Sequence, residues 1–469
     1  MSDTVTAPTF VETAAAVAEP LSTSATTVPV EPAPTPEPVA CPVTQRERIP
    51  TIDVVRGVAL MGILLMNISS FSGPLEMYFN PLSVQGHRSY DIFAWLIRWV
   101  LFEGKMRAAF SMLFGAGVIL LTQRAERRGS KNVADIFLRR NMWLVLFGVL
   151  HFYLVWNGDI LYFYGLTALL FLYPCRNIRY RNLFIAGGLV LALSSANDVY
   201  YSVDGLRTRN RGLEAQALQS AGKKLTQAQQ DALKKWTDVL DGRKKEHDED
   251  LKAMRGSYLD IVKYHAQFGP RAQAKGYYML GFTDSLGMML IGMGLYRMGF
   301  LTGALSRRFY GWTIAIGFLL SLPINGFEAW GLIRDNFEYE SAWWILYQLG
   351  RITGALANVA LVVTICKAGL VPALMRRVAA VGQTALSNYL FTSISCTAFF
   401  CGFKLYGKFE YYQIYVVVGF VWLLNLMLSP LWLRYFQFGP MEWVWRSLTY
   451  WKRQPMRRST VEESQELAA

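Results

Sequence analysis

The chain has 469 residues, of which 53% are hydrophobic, 14% aromatic and only 17% charged. Its apolar residues fall in long runs that soluble domains of this length rarely carry. The net charge of +13 is explained by Lys and Arg in the short loops between those runs, so we expect no nucleic-acid partner. The composition therefore predicts a polytopic membrane protein that contacts membrane lipids. The sequence has no P-loop, no GxGxxG after a strand and no GxSxG elbow, so we expect no soluble cofactor fold.

Residues 1–45 form a low-complexity arm of Ala, Pro, Thr, Val and Glu, with no Lys or Arg before Arg46. Such a segment lacks a core-forming pattern, so we predict that it is disordered. It also lacks the basic and apolar regions of a secretory signal, so we do not expect cleavage as one.

Ten apolar segments follow and predict an all-α fold, a membrane helical bundle of about ten spans. The second segment is long and is interrupted by Glu103-Gly-Lys-Met-Arg107, so it is either one kinked span or two short ones, which would make eleven. We divide the bundle into an N-terminal part, 46–202, and a C-terminal part, 276–446. The apolar segments are 54–72, 92–121, 141–156, 160–174, 182–197, 277–299, 309–327, 342–366, 378–402 and 412–433.

Lys and Arg alternate between loops in the way that the positive-inside rule describes. If 92–121 is one span, both termini lie in the cytoplasm of a bacterial inner membrane; if it is two, the N-terminus lies outside. Arg46 and Arg48 before the first span favour the cytoplasm. The cation-rich loops are 123–141, 176–181, 297–308, 367–377 and 434–458.

Residues 203–275 form one polar insertion with 15 Lys or Arg and 10 Asp or Glu. The loose helical spacing of its few apolar residues predicts one or two helices, placed by parity outside the cytoplasm. We regard the insertion as a solvated spacer, with partner binding as the alternative. Residues 447–469 form a basic and then acidic cytoplasmic tail.

The sequence offers no metal site. Its five Cys and four His lack metal-ligand spacing, so we expect no metal, no disulfide and no tightly bound cofactor. The cysteines are Cys41, Cys175, Cys366, Cys396 and Cys401.

The first span combines an apolar body with Asp53, Arg56 and Asn67. Ionisable and amide groups inside hydrocarbon usually face a protein interior or a water-filled cavity, which makes Arg56 and Asn67 candidate substrate-binding residues. The alternative is that Asp53 and Arg56 anchor the span at the headgroups.

A second candidate site is the turn between two spans that contains His151 and Asp159. If Asp159 accepts a hydrogen bond from the imidazole, it sets the tautomer of a general base. The alternative is a helix-terminal His bonded to backbone, with Asp159 capping the next helix.

Glu103, Lys105 and Arg107 lie within the long second segment, where mutual pairing would lower the cost of their charges. They either line a substrate pocket or lock two helices together. Polar residues of later spans, among them Asp284, Arg351 and Asn388, are interpreted as interhelical hydrogen-bonding groups.

Five blocks of this sequence together resemble the YeiB-like family of bacterial membrane proteins, whose C-terminal half is a domain of unknown function (DUF418). The match runs from about residue 46 to 455. The blocks are Asp53-Val-Val-Arg56-Gly57 with Asn67, Glu103-Gly104-Lys105 with Phe110-Ser111-Met-Leu-Phe114-Gly115, His151 with Gly158-Asp159-Ile-Leu, Gly382-Gln383-Thr-Ala-Leu-Ser-Asn388-Tyr389, and Gly439-Pro440-Met-Glu442-Trp443-Val-Trp445-Arg446.

The Arg-Gly pattern of the first span is also similar to that of multi-span acyltransferases, which pass an acyl group from cytoplasmic acyl-CoA to an acceptor across the membrane. Those enzymes often place a His in the early spans, where this chain has Asn67. A catalytic role therefore moves to His151 and Asp159, and the resemblance implies acyl-CoA as donor.

Three hypotheses follow from the sequence. The first is a transferase acting on a lipid-linked or other envelope acceptor, in which Arg56, Lys105 and Arg107 bind an anionic donor or substrate. The second is a small-molecule or lipid transporter with the same charges along its path. The third is a non-catalytic scaffold whose insertion at 203–275 binds a partner. A homo-oligomer is compatible with all three.

Overall fold

The computed structural model of the protein describes residues 48–84, 88–274, 281–337 and 345–458. Within these ranges the chain is helical and forms no β-strand, apart from one isolated bridge between Phe436 and Arg457. The all-α fold class is therefore confirmed. The predicted disordered arm and the acidic end of the tail lie outside the described residues.

The described residues form seventeen α-helices, with π-helical turns at Ala168–Leu172 and Ala398–Gly402. The helices are α1 Pro50–Ser72, α2 Leu75–Phe79, α3 Arg88–Leu101, α4 Lys105–Arg127, α5 Val133–Leu154, α6 Leu161–Thr167, α7 Tyr173–Cys175, α8 Tyr180–Ser220, α9 Gln227–Met254, α10 Tyr258–Arg271, α11 Phe282–Met298, α12 Arg307–Arg334, α13 Tyr347–Ala368, α14 Pro372–Gln383, α15 Ala385–Thr397, α16 Ile414–Tyr435 and α17 Pro440–Tyr450.

Six helical segments of the described chain are long and apolar enough to cross a membrane, and Leu161–Cys175 is a shorter apolar helix. These properties indicate a membrane protein, while the number of ten or eleven spans stays a prediction. The six segments are Pro50–Ser72, Arg88–Arg127, Tyr180–Ser220, Arg307–Arg334, Tyr347–Ala368 and Ile414–Tyr435.

The interruption expected in the second apolar segment is a sharp break between α3 and α4. Gly104 adopts a φ of +66° there, a left-handed conformation that glycine takes without steric cost. The break turns Glu103 away from the helix axis, so that this carboxylate can contact several neighbouring helices.

Helices α1 and α4 occupy the centre of the bundle. Helix α1 packs against α4, α13, α14, α15 and α16, and α4 packs against α5, α11 and α13. Two glycines bring α14 close to the start of α1, because a Cβ on Gly382 would lie 1.9 Å from Asp53 O and one on Gly57 2.1 Å from Val378 O. Asp53 and Arg56 are thus held beside α14.

The polar insertion is helical over its described part and packs on the bundle. Helix α8 extends past its apolar half, α9 returns along it, and α10 lies against α5. The Arg255 guanidinium donates to Tyr406 O at 2.8 Å, and the Tyr258 hydroxyl donates to Leu154 O at 2.9 Å. The insertion is therefore attached to the bundle at the turn between α9 and α10.

Two buried titratable groups lie where the insertion packs on the bundle. The Tyr406 hydroxyl donates to Asp250 Oδ2 at 2.5 Å, and burial raises the pKa of Asp250 from 3.8 to about 6. Burial lowers the pKa of His265, whose Nδ1 lies 3.3 Å from Tyr153 O, from 6.5 to about 4. Both shifts favour the neutral side chain in the folded state.

The two shifts act on stability in opposite directions. The raised pKa of Asp250 gives stability that is lost as pH rises from 3.8 to about 6, whereas the lowered pKa of His265 gives stability that is lost as pH falls from 6.5 to about 4. Each shift corresponds to about 3 kcal/mol. In the wild-type protein they largely offset each other.

Single substitutions should separate the two effects. Asp250→Asn is expected to be more stable than wild type at pH 7 by about 3 kcal/mol and to lose this advantage by pH 4. His265→Gln should match wild type at pH 7 and exceed it at pH 4. Thermal unfolding at both pH values checks this, and parallel pH profiles for all three proteins would contradict it.

Candidate functional site

Two adjoining cavities lie inside the bundle. The first, of about 250 Å³, is named the arginine cavity after the five arginines on its wall: Arg48, Arg56, Arg124, Arg140 and Arg446. The second, of about 730 Å³, is named the polar cavity after its polar wall residues, which include Asn67, Glu103, Arg107, Asp159, Asp198, Asp284, Gln348 and Arg351. Both cavities are lined by Ile63, Ile160 and Tyr389, which we call the junction.

Helix α1 borders both cavities along one face. Asp53 and Arg56 line the arginine cavity, Ile63 lies at the junction, and Asn67 lines the polar cavity. Arg56 and Asn67 are eleven residues apart, about 16 Å along a helix. The interior face predicted for the first span is thus a wall shared by two cavities, with Arg56 on one of them and Asn67 on the other.

His151 and Asp159 form a buried pair at the end of α5. His151 Nδ1 lies 2.9 Å from Asp159 Oδ1, and Asp159 Oδ2 accepts from Tyr162 N at 2.8 Å. The carboxylate therefore both orients the imidazole and caps α6, so the two alternative roles of Asp159 are combined. A Cβ on Gly148 would lie 2.2 Å from Tyr162 N, so this glycine lets α5 and α6 approach.

The pairing determines which imidazole nitrogen can react. Since the Asp159 carboxylate accepts from Nδ1–H, His151 Nε2 carries the lone pair. This atom is buried and has no hydrogen-bond partner among the described residues. A carboxylate orients the imidazole through Nδ1, and Nε2 has no hydrogen-bond partner among the described residues. This is the arrangement that a general base requires.

His151 itself lines neither cavity. Its ring lies 5.1 Å from that of Tyr389 and 6.3 Å from that of Trp156, measured between centroids. Tyr389 belongs to the junction, and its hydroxyl accepts from Ile160 N at 3.3 Å. The imidazole is therefore separated from the meeting point of the cavities by one aromatic side chain.

Glu103 is the centre of a buried cluster. Its carboxylate accepts from Arg98 Nη1 at 3.0 Å, from the Tyr78 hydroxyl at 2.7 Å and from the Tyr347 hydroxyl at 3.3 Å. These partners come from α3, α2 and α13, so Glu103 joins helices as well as lining the polar cavity. Sequence reasoning missed Arg98, because it treated the residue as part of an apolar span.

The three charged residues of the second apolar segment, Glu103, Lys105 and Arg107, do not all line the same cavity. Arg107 lines the polar cavity together with Glu103, whereas Lys105 is 1% exposed and lines neither cavity. Lys105 Nζ lies 3.4 Å from Glu103 O. The predicted binding residues therefore do not share one site: Arg56 lines the arginine cavity, Asn67, Glu103 and Arg107 line the polar cavity, and Lys105 lies behind its wall.

Two further pairs on the wall of the polar cavity join distant segments. Asp284 contacts Arg351 directly and lies 3.7 Å from Arg107, and Gln348 Nε2 donates to Asp198 Oδ2 at 3.0 Å. The sequence predicts that Asp284 and Arg351 form interhelical hydrogen bonds. In the structure they also border the polar cavity. Asp198 and Gln348 were missed, since nothing in the local sequence pairs residues 150 positions apart.

The carboxylates of the arginine cavity are already engaged. Asp53 binds Arg56 at 3.0 Å and Arg48 at 3.5 Å. Glu442 caps α15, where it accepts from Leu386 N at 2.6 Å and from Ser387 N at 3.2 Å. Among the described residues, no cluster of His, Cys, Asp and Glu could hold a metal ion.

The chain has relatives that match along most of its length. It is 30% identical over 421 residues to the uncharacterized protein YeiB of Escherichia coli (strain K12), a match that covers 86% of this chain and 96% of YeiB. The chain belongs to the YeiB family. It is also 29% identical to the uncharacterized protein YxaH of Bacillus subtilis (strain 168), over 89% of this chain and 98% of YxaH.

The family model for the protein of unknown function DUF418 matches residues 295–452. In this YeiB-family chain the matched region runs from the end of α11 to just past α17. It supplies Arg351 and Tyr389 to the polar cavity and Glu442 and Arg446 to the arginine cavity, so each cavity is built from both halves of the chain. The predicted resemblance is confirmed, and no solved structure matches.

The buried Arg351–Asp284 pair leads to a stability prediction. Asp284→Asn should lower the free energy of unfolding by about 3 kcal/mol, because it leaves the guanidinium of Arg351, 1% exposed, without its carboxylate. The control is Asp135→Asn, which breaks the more exposed Arg139–Asp135 pair of α5 and should cost less than about 1 kcal/mol. Equal losses in thermal unfolding would contradict the prediction.

Proposed function

We propose that this protein is a membrane-embedded group transferase, which passes an acyl group from a donor in the arginine cavity to an acceptor in the polar cavity. The observation behind the proposal is the junction, where the two cavities adjoin and the buried His151–Asp159 pair packs against Tyr389. With both termini in the cytoplasm of a bacterial inner membrane, the arginine cavity lies at the cytoplasmic end. The acceptor then approaches from the opposite face.

The proposed reaction needs one proton acceptor. His151 Nε2 takes the proton of an acceptor hydroxyl as its oxygen attacks the carbonyl carbon of an acyl-CoA thioester. The new ester C–O bond forms, the C–S bond breaks, and the imidazolium returns the proton to the thiolate. Tyr389 turns aside to admit the acceptor, and Asp159 stabilises the imidazolium through Nδ1–H.

We assign the other predicted site residues their roles according to where they lie relative to the two cavities. Asn67, Glu103 and Arg107 contact the acceptor in the polar cavity, and Arg56 contacts the donor in the arginine cavity. Lys105 acts indirectly, through its contact with the backbone of Glu103. The acceptor is a lipid-linked or other envelope molecule.

A transporter is the second candidate. Two cavities separated by three side chains are also the arrangement of a gated path, in which Tyr389 would be the gate. Flux of a substrate through proteoliposomes without covalent change would favour this candidate. The scaffold hypothesis gains least support, because the polar insertion is docked on the bundle.

Replacing the proposed base tests the transferase. In a deletion strain of the source bacterium, wild-type protein and His247→Gln should restore the same untargeted lipid and envelope-glycan profile, whereas His151→Gln should leave the deletion profile unchanged. His247 is the matched control, because its imidazole contacts Glu76 and lines neither cavity.

Protein levels in the membrane and thermal unfolding must match among the three strains. A His151→Gln protein that restores the wild-type profile at an equal level would exclude His151 as the base and, with it, the proposed reaction.

A further inference from the structure

The arginine cavity holds more positive charge than its carboxylates neutralise. Asp53 is engaged with two arginines, and Glu442 uses its oxygens at the N-terminus of α15. No described carboxylate lies within 4.0 Å of Arg140 or Arg446. Within the described part of the chain, these two guanidinium groups therefore have no carboxylate partner and can bind an anionic ligand.

Aromatic rings hold both guanidiniums in place. The Arg140 guanidinium carbon lies 3.7 Å from the ring centroid of Trp445, and that of Arg446 lies 4.4 Å from that of Phe438. Stacking on a ring fixes a guanidinium while its N–H donors remain directed outward at its edge. Burial, reinforced by the charges of Arg48 and Arg140, lowers the pKa of Arg446 to about 9.

The opposite part of the cavity is apolar. From the arginines its wall continues along Leu113, Phe114, Leu144 and Leu161 to the junction. A ligand that fills this space must place an anionic group at one end and hydrocarbon at the other, because buried charge without a partner is costly and apolar walls favour apolar chains.

We propose that Arg48, Arg56, Arg140 and Arg446 bind the phosphate group of an anionic amphiphile, whose chain lies along the apolar wall and reaches the junction. Phosphate fits this set because guanidinium groups donate pairs of parallel hydrogen bonds to it. The inference rests on the proposed function, of which this amphiphile would be the donor. The phosphate belongs either to a CoA thioester from the aqueous phase or to a phospholipid from the membrane.

Ligands of matched chain length distinguish these sources. The full chain is placed in phosphatidylcholine nanodiscs and titrated with octanoyl-CoA, with dioctanoyl phosphatidic acid and with uncharged dioctanoyl glycerol. At least one of the two phosphate-bearing ligands should bind, and its affinity should fall as salt rises. Binding of octanoyl-CoA identifies an aqueous donor and agrees with the thioester reaction. Binding of the phosphatidic acid identifies a membrane donor, for which the C–O bond of a carboxylic ester would break instead and the proton would return to the hydroxyl of the lysolipid.

Variants connect the binding to the named residues. The double variant Arg140→Gln/Arg446→Gln should bind at least about tenfold more weakly, which corresponds to about 1.4 kcal/mol. Arg434→Gln, which removes an exposed arginine at the end of α16, should bind as wild type does. Absence of binding by both phosphate ligands, binding of the uncharged glyceride as tight as theirs, or unchanged affinity in the folded double variant would overturn the inference.

His151→Gln separates this inference from the proposed reaction. It should bind the same ligand with wild-type affinity, because the imidazole lines neither cavity. If His151→Gln also restores the wild-type profile in the deletion strain, the reaction fails and the phosphate site stands. If it does not restore the profile and neither phosphate ligand binds, the phosphate site alone fails.

Discussion

The hydrogen bonds of Asp159 are the interaction on which the junction depends. One carboxylate oxygen meets His151 Nδ1 and the other caps the first turn of α6, so a single side chain sets the imidazole tautomer and the position of the following helix. Ile160 follows directly in the chain, and its amide donates to the Tyr389 hydroxyl. The orientation of His151 and the position of Tyr389 at the junction therefore both depend on the turn that contains Asp159 and Ile160.

The two cavities differ in how their buried charged side chains are paired. In the polar cavity carboxylates and cations are paired within the protein, as in the contacts of Glu103 with Arg98 and of Asp284 with Arg351. In the arginine cavity Asp53 pairs with Arg48 and Arg56, Glu442 caps α15, and Arg140 and Arg446 rest on aromatic rings. This difference is the reason for proposing an acceptor in the polar cavity and an anionic donor in the arginine cavity.

Much of the fold could be predicted from hydropathy, because a long apolar segment by itself predicts a helix that is buried in lipid or in the protein core. The His151–Asp159 contact could also be predicted, since only eight residues and a tight turn separate its partners. Contacts between distant segments could not, because local periodicity carries no information about which helices become neighbours. Asp198 with Gln348, and Glu442 with the start of α15, are examples.

The position of Arg140 in the arginine cavity could not be predicted for the same reason. In the sequence it belongs to a cation-rich loop and is explained fully by membrane orientation. Its position over Trp445 depends on the packing of α17 against α5, and the cavity depends on that packing too. The meeting of the two cavities at Ile63, Ile160 and Tyr389 could not be predicted from a local pattern either.

Accessibility of single cysteines tests the proposal that the two cavities open to opposite faces of the membrane and are separated at the junction that includes Tyr389. In a chain whose native cysteines are replaced by serine, Gln383→Cys in the arginine cavity and Asn67→Cys in the polar cavity are exposed to an impermeant maleimide in inside-out and right-side-out vesicles. Position 383 should be labelled only from the cytoplasmic face and position 67 only from the other face, and Tyr389→Ala should abolish this selectivity. Labelling of both positions from the same face while Tyr389 is intact would contradict it.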